Sequence, residues 1–263
     1  ATSSSAAASS SRRFRHASLS EHDATIRAEF DRAAAQFAER TKGRFDHLDV
    51  VAFSRAAPGE TVVEVGAGTG NFLNLFRGVA GRMVAVDLTP AMLAQARTHG
   101  TLRLVAGDGR RLPLRSGSAD LVASAQALHH VHDPVTVVKE MRRVARARGR
   151  VLLVDQVATE RYEEALMMTE LELARDPSHA MSRPPSAYRM MARAAGLEIV
   201  DERVAESEQR LSSWMWPGEF PEERIAHVSR LIEQIGPETG MGFERDGDDW
   251  VFVRRRLMLL AER

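Results

Sequence analysis

The chain has 263 residues, 44% of them hydrophobic, and 36 Lys and Arg residues balance 36 Asp and Glu residues. This length suits one large domain or a domain with an inserted cap. The charge balance creates no overall field that would attract nucleic acid or an anionic membrane. No cysteine is present, which excludes disulfides, thiolate zinc sites and cysteine nucleophiles. No apolar run is long enough to span a bilayer, so we expect a cytoplasmic protein without membrane or nucleic-acid partners.

The first 20 residues combine a tract of small residues with a basic cluster, Arg12, Arg13 and Arg15. A segment of this composition cannot bury a core, so residues 1–20 are predicted to form a disordered arm. Contact with phosphate is an alternative role for the basic cluster, although a solvated tail is the simpler interpretation.

Between residues 21 and 57 apolar side chains recur at helical spacing, which predicts two helices. Short apolar strands then alternate with amphipathic helices. The predicted strands are Thr61–Val65, Met83–Asp87, Leu102–Ala106, Ala119–Ser124 and Arg150–Asp155, and the predicted helices are Asn71–Val79, Pro90–His99 and Pro134–Ala147. This order is typical of right-handed crossovers in a parallel, doubly wound α/β sheet.

The pattern changes after Gln156. It predicts helices over Arg161–Ala174 and Pro185–Ala195, followed by strands over Leu197–Val204 and Trp250–Ala261. The segment between the last two strands predicts a helical cap. We therefore expect one domain formed by residues 21–204 and 249–263, with a substrate region at residues 205–248.

The first predicted strand leads into a turn that contains Gly66, Gly68 and Gly70. Glycine allows a ligand to approach unpaired backbone N–H groups and permits positive φ angles. The dinucleotide fingerprint G-x-G-x-x-G requires a third glycine where this chain has Asn71. The turn therefore does not match a pyrophosphate-binding motif.

Three acidic residues, Glu64, Asp87 and Asp108, lie at or just beyond the ends of three successive predicted strands. Because a buried carboxylate is costly unless it is paired, Glu64 favours a positively charged ligand group over phosphate. Asp87 follows Gly66 by 21 residues, the spacing at which an acid commonly accepts hydrogen bonds from ribose. Open α/β sheets bind ligands beyond the carboxyl ends of their strands, so the acids indicate a binding site rather than solvated loops.

Five segments resemble, in order, the motifs of class I S-adenosylmethionine-dependent methyltransferases: VVEVGAGTGNF, VAVDLTPAML, GDGRRLPL, ADLVASAQALHHVHDP and VVKEMRRVARARGRVLLVD. The most similar group acts on small molecules and is related to ubiquinone and menaquinone biosynthesis enzymes. The resemblance covers about residues 30–204. It implies a mostly parallel, seven-stranded Rossmann-like sheet with N-terminal helices and a helical cap insertion. It also implies S-adenosyl-L-methionine as the cofactor and O-, C- or N-methylation of a small organic acceptor, in secondary or quinone-like metabolism.

The resemblance also implies which residues contact each part of the cofactor. The methionine portion would lie against Glu64, Gly66, Ala67, Gly68 and Gly70. Asp87 would bind the ribose hydroxyls, and the adenine would contact Leu88, Met92, Asp108 and Gly109. Ser124, Ala125 and, from the preceding helices, Phe37 would complete the site.

A histidine pair, His129 and His130, follows the fourth predicted strand, where a methyl acceptor would lie. Either is a candidate base for a hydroxyl acceptor, since imidazole titrates near neutral pH. Packing or helix capping is the alternative role. The HHVHD run does not match a hydrolase metal motif, and Asp133 followed by Pro134 instead predicts the start of a helix. We therefore predict no metal site.

Four further residues are candidates for the acceptor site: His179, Tyr188, Trp214 and Trp216. The loop around His179 could close over a substrate, or its sequence could simply form turns. The two tryptophans could form the wall of an apolar or planar pocket, with packing as the alternative.

Three other functions stay open at this point. A nicotinamide-dependent oxidoreductase shares the sheet and Asp87, although Glu64 and Asn71 disfavour it. A modifier of RNA or protein would need a docking surface, for which only the N-terminal arm offers basic residues. A cyclase-type relative could bind the cofactor without transferring a group. The acceptor and the oligomeric state are not determined by the sequence.

Overall fold

A computed structural model describes residues 19–215 and 220–263, with side chains from residue 21 onward. Most of the arm predicted over residues 1–20 lies outside this range, as does Trp216. None of the helices in the described part of the chain is long and apolar enough to cross a membrane.

Eight strands in the described residues form one sheet: β1 Thr61–Val65, β2 Arg82–Asp87, β3 Leu102–Ala106, β4 Ala119–Ala125, β5 Ala145–Val157, β6 Glu198–Arg210, β7 Glu244–Asp246 and β8 Asp249–Glu262. Their order in the sheet is β3-β2-β1-β4-β5-β8-β6, and β7 pairs with β8. Strands β1 to β5 pair in parallel, and β8 runs antiparallel to β5, β6 and β7. The predicted doubly wound, mostly parallel sheet with seven main strands is confirmed.

The helices are α1 Leu19–Arg40, α2 Val50–Phe53, α3 Pro90–Ala96, α4 Pro134–Val144, α5 Tyr162–Arg175, α6 Pro185–Ala194, α7 Leu211–Trp214 and α8 Glu222–Ile235. Because successive side chains of a strand point to opposite faces, β5 and β8 supply both layers of the core. Leu153 and Leu259 are paired and belong to the cluster that includes α4 and α6. Leu152 and Leu260 are paired and belong to the cluster on the other face.

The segment after the glycine turn differs from the prediction. Instead of a helix over Asn71–Val79, it forms a short 3₁₀ helix, Leu73–Phe76. The backbone N–H of Leu73 donates to the Glu64 carboxylate (3.1 Å), so this N–H is used by the site rather than by a helical carbonyl. The Asn71 side chain donates to Ala38 O (3.0 Å) and Thr41 Oγ1 (2.7 Å), which ties the turn to the end of α1.

Other element boundaries also differ from the prediction. The helix predicted to reach Ala147 ends at Val144, and β5 begins at Ala145, five residues before the predicted start. Strand β6 continues to Arg210, beyond the predicted end at Val204. In the segment predicted as a helical cap, α7, α8 and a 3₁₀ helix, Gly236–Thr239, follow β6. Apolar residues of α7 and α8 pack with α5 in a third cluster.

Candidate functional site

A deep pocket lies beyond the carboxyl ends of β1, β2 and β4, where the strand order reverses. Its volume, including the open mouth, is about 1160 Å³. We call it the main pocket. Twelve of the thirteen residues expected around the cofactor line it: Phe37, Glu64, Gly66, Ala67, Gly68, Asp87, Leu88, Met92, Asp108, Gly109, Ser124 and Ala125. The exception is Gly70, which does not face the pocket.

The turn requires glycine at several positions, because a side chain there would not fit. Gly66 has φ +73°, and a Cβ there would lie 2.5 Å from Ala127 Cβ. Gly68 also has a positive φ, +53°, and faces the pocket beside Met92. Gly70 serves packing instead, since a Cβ at this position would lie 2.7 Å from Leu102 Cδ1. The first two glycines therefore open the backbone to a ligand, and the third lets the turn pack against β3.

Glu64 is a buried carboxylate without a cationic partner among the described residues. Its side chain is 1% exposed, and Oε2 accepts one hydrogen bond, from Leu73 N. Burial raises the pKa of this carboxyl well above its usual value, and the nearby Asp87 adds to the effect. A cationic ligand group would relieve this cost, because opposite charge favours the ionised carboxylate.

Asp87 is held in one orientation by two backbone donors. Gly68 N donates to Oδ2 (2.7 Å) and Thr89 N donates to Oδ1 (2.8 Å). Burial raises the pKa of Asp87, and the two hydrogen bonds act against that rise. Each carboxylate oxygen retains a free lone pair, so the group can also accept hydrogen bonds from ligand hydroxyls.

Asp108 is paired with Arg110, which sequence analysis did not assign to the site. The guanidinium donates from Nη2 to Oδ2 (2.8 Å) and from Nε to Oδ1 (3.0 Å). Burial acts to raise the pKa of Asp108, but the hydrogen bonds from Arg110 outweigh it and lower the pKa. Arg110 also pairs with Asp23 of α1 at 2.5 Å, so it connects this acid to the helix above the pocket.

Helix α1 covers the main pocket with one face. His22, Asp23, Ile26, Phe30 and Phe37 recur at helical spacing and all line the pocket. His22 Nε2 donates to His130 O (2.7 Å), which adds a second anchor to the ion pair between Asp23 and Arg110. The periodicity predicted a helix here, but only the resemblance assigned one of its residues, Phe37, to the site.

The end of β4 carries two polar groups without partners among the described residues. Ser124 Oγ and Gln126 Nε2 are buried, and both residues line the main pocket. Gln126 also has φ +53°, an uncommon conformation for a residue with a side chain. Backbone strain of this kind concentrates at functional sites. The sequence does not point to Gln126, because a positive φ at a non-glycine residue leaves no compositional signal.

A second, smaller cavity adjoins the main pocket, and we call it the side pocket. The two share five residues, Phe30, Phe37, Arg44, Gln126 and His130. The side pocket extends from there between α1, the end of β5 and the segment after α5, and is further lined by Glu29, Arg32, Ala33, Arg40, His129, Gln156, Arg175, Asp176, Ser178, Phe220 and Arg254.

The two candidate bases differ in their surroundings. His129 lines only the side pocket, and its Nδ1 lies 2.6 Å from Asp155 Oδ1. Asp155 also accepts from the backbone N–H groups of His129 (3.2 Å) and Gln156 (2.8 Å). His130 lies where the pockets meet, and its Nδ1 contacts Ser178 O at 2.9 Å. Only His129 is therefore supported by a carboxylate.

Burial is the main influence on the pKa values of His129 and Asp155. Burial raises the pKa of Asp155 to about 6 and lowers the pKa of His129 well below its usual value. At neutral pH the carboxylate is ionised and the imidazole is neutral. The proton on Nδ1 then donates to Asp155, which leaves the lone pair of Nε2 available. Among the described residues, none forms a hydrogen bond with Nε2.

The other acceptor candidates among the described residues, His179, Tyr188 and Trp214, line neither pocket. His179 is buried behind His129, with ring centroids 5.4 Å apart. Tyr188 lies in the core beside Asp155, and burial and that carboxylate raise the pKa of its phenol. Trp214 packs against Phe252 in the third cluster, with ring centroids 5.1 Å apart. Trp216 lies outside the described residues. The described residues also contain no cluster of three or more His, Asp or Glu side chains suited to a metal ion.

Comparison with known proteins relates this chain to methyltransferases. Residues 63–153 match the model of a methyltransferase domain. The uncharacterized methyltransferase YcgJ of Bacillus subtilis is 26% identical over 208 residues, which are 75% of this chain and 82% of that protein. A demethylmenaquinone methyltransferase of Beutenbergia cavernae is 36% identical over 137 residues, and the match spans 51% of this chain and 57% of that enzyme.

A solved structure agrees over a longer stretch. A candidate methyltransferase from Bacillus halodurans superposes with a TM-score of 0.76 at 25% identity, covering 82% of this chain and 98% of that one. The matched domain contains the glycine turn and the strands that frame the main pocket. The chain therefore carries a methyltransferase domain with a Rossmann-like fold, for which S-adenosylmethionine is the methyl donor.

Proposed function

We propose that this methyltransferase transfers a methyl group to a small organic acceptor bound in the side pocket, with His129 as the general base. The observation that carries the proposal is the connection between the two pockets, with a carboxylate-supported histidine on the wall of the second. The side pocket is small and adjoins the main pocket beside Gln126 and His130, which favours a small acceptor over a macromolecule.

The residues of the main pocket fit S-adenosylmethionine. We assign the buried Glu64 to the ammonium group of the methionine portion, since it lacks a cation of its own, and the open backbone at Gly66 and Gly68 to the same portion. We assign Asp87 to the ribose hydroxyls and Asp108 to the adenine end. The bound cofactor supplies a methyl group on a positively charged sulfur, which is open to displacement by a nucleophile.

His129 would accept the proton of an acceptor hydroxyl through Nε2. Asp155 holds the proton on Nδ1 and stabilises the imidazolium that forms when Nε2 takes up a second proton. Removal of the acceptor proton makes its oxygen a better nucleophile, so a base at this position favours O-methylation. Positioning of the two reactants and exclusion of water by α1 would supply further acceleration.

Residues 205–248 would form a cap that completes the acceptor site in the side pocket. Phe220, in this segment, lines the side pocket, and the guanidinium of Arg175 lies 5.5 Å from the centre of its ring. An aromatic wall of this kind accommodates an apolar or planar portion of a small molecule.

Calorimetry and mass spectrometry test the proposal together. We expect S-adenosylmethionine and S-adenosylhomocysteine to bind the full chain, and a panel of hydroxylated small molecules to include one that gains the mass of a methyl group. Binding of the cofactor without methylation of any member would favour a cyclase-type relative. Binding of NADH, detected by its fluorescence, in place of S-adenosylhomocysteine would contradict the proposal.

A further inference from the structure

Arginine dominates the charge of the side pocket. Five arginines line it, Arg32, Arg40, Arg44, Arg175 and Arg254, against two acids, Glu29 and Asp176. Both acids are already engaged: Glu29 pairs with Arg32 at 2.7 Å, and Asp176 Oδ1 accepts from Ser178 N (2.9 Å) and Ser178 Oγ (2.6 Å). The wall therefore carries an excess of positive charge.

Arg44 has no acidic partner among the described residues. Burial lowers the pKa of its guanidinium well below the usual value, and the neighbouring charges of Arg256, Arg254, Arg40 and Arg175 lower it further. A guanidinium stays charged in proteins, so this environment costs free energy. An anion placed among these groups would offset that cost.

Arg175 and Arg254 depend on one shared carboxylate. Glu172, which is almost fully buried, lies 3.4 Å from Arg175 Nη1 and 3.4 Å from Arg254 Nη1. Two guanidinium groups at this separation from a single carboxylate retain several N–H donors for other acceptors. Arg254 is itself only 8% exposed and also donates to Gln156 on the pocket wall.

We propose that the side pocket recognises the acceptor through an oxyanion, a carboxylate or a phosphate, bound by Arg44, Arg175 and Arg254. The inference rests on the proposed function, because it names the chemical class of that function's acceptor. The planar fork of arginine suits these oxyanions, which it can bind through two parallel hydrogen bonds.

The position of the arginines also connects recognition to catalysis. Arg254 and Arg44 are close enough to His129 for their charges to help to lower its pKa. A bound oxyanion would neutralise part of that field and make His129 a stronger base once the acceptor has arrived. The same anion would lie beside the aromatic ring of Phe220, which can contact the rest of the molecule.

The test measures binding of defined probes to the full chain saturated with S-adenosylhomocysteine. Benzoate and phenyl phosphate are compared with their neutral counterparts, benzamide and phenol, by ligand-observed NMR titration. We expect at least one anion to bind about 10–100-fold more tightly than its neutral counterpart, the range expected for a charge-assisted hydrogen bond. Comparison of benzoate with phenyl phosphate shows which oxyanion the pocket prefers.

Two variants and one control assign the effect to the pocket. Arg44→Gln breaks no ion pair among the described residues, and Arg175→Gln leaves Glu172 paired with Arg254. Each should weaken binding of the preferred anion about 10-fold or more while S-adenosylhomocysteine still binds. Arg193→Gln, on the exposed face of α6, should bind the anion as the wild type does.

Anions that bind no more tightly than the neutral probes would overturn the inference, as would wild-type anion affinity in both pocket variants. Failure of S-adenosylhomocysteine to bind the wild-type chain is a separate result. It would overturn the proposed function, and with it the assignment of an anionic acceptor to the side pocket.

Discussion

Replacement of Asp155 by asparagine tests the proposed base without removing the histidine. Asp155 accepts from three N–H groups, His129 Nδ1, His129 N and Gln156 N. An asparagine offers one oxygen in place of two, so its NH₂ group must face at least one of these donors. If it faces Nδ1, the imidazole proton moves to Nε2 and the lone pair that accepts the substrate proton is lost.

The expected loss of activity is large and the expected loss of stability is small. General base catalysis contributes about 100- to 10,000-fold in rate, or about 3–5 kcal/mol. An unpaired buried donor costs about 1–3 kcal/mol. Against this, burial raises the pKa of Asp155 to about 6, so its ionised form costs about 3 kcal/mol at neutral pH, and asparagine removes that cost. The two stability effects nearly cancel.

The assay is kcat/KM for methyl transfer to the acceptor found in the screen, with calorimetry of S-adenosylhomocysteine and a thermal melt. We expect Asp155→Asn to lower kcat/KM about 100- to 10,000-fold, to keep cofactor affinity, and to leave the melting temperature within about 5 °C of wild type. Long-range ¹H–¹⁵N NMR of the His129 ring should show the proton on Nδ1 in the wild type and on Nε2 in the variant.

Asp133→Asn is the matched control, because asparagine is as good an N-cap as the aspartate that begins α4. It should retain wild-type kcat/KM. If Asp155→Asn keeps kcat/KM within about threefold of wild type while the NMR shows the altered tautomer, His129 is not the base and the reasoning is refuted.

Three further predictions concern the donor site and pH. Glu64→Gln should weaken S-adenosylhomocysteine binding about 10–100-fold by calorimetry and raise the melting temperature, because a buried carboxylate without a cation is removed. Gly66→Ala should lower the melting temperature and abolish cofactor binding, since its φ is +73° and the new Cβ would lie 2.5 Å from a neighbouring Cβ. Burial lowers the pKa of both His129 and His179, so only their unfolded forms take up protons as the pH falls below 6.5. Stability should therefore decrease from pH 7 to pH 6 in Glu64→Gln, which lacks the opposing protonation of Glu64, while the opposing protonation of Asp155 is only half complete at its pKa of about 6; a melting temperature of this variant that rises over this range would contradict it.

The strands and the glycine turn were predictable because their signals are local. Short, mainly apolar runs predict the strands, and the structure begins and ends β1 and β3 at the predicted residues. The carboxyl ends of such strands meet at one edge, so Glu64 and Asp87 could be placed together from the sequence. The 3₁₀ helix at Leu73–Phe76 was not predicted, because a contact from Glu64 replaces the local helical hydrogen bond.

The side pocket was not predictable because its residues come from distant parts of the chain. Arg44 follows α1, Arg175 ends α5 and Arg254 lies in β8, and no spacing pattern connects them. Asp155 was correctly placed in the fifth strand, but its role depends on the adjacent strand β4, which brings His129 within 2.6 Å. Long-range contacts of this kind set the chemistry of the acceptor site.

The most direct test of the account is a crystal structure of the full chain with S-adenosylmethionine. We predict the amino group at Glu64, the ribose at Asp87 and the methyl group directed towards the side pocket, where His129 and the arginines would contact the acceptor. A methyl group that points away from the side pocket, or a cofactor bound outside the main pocket, would contradict the account.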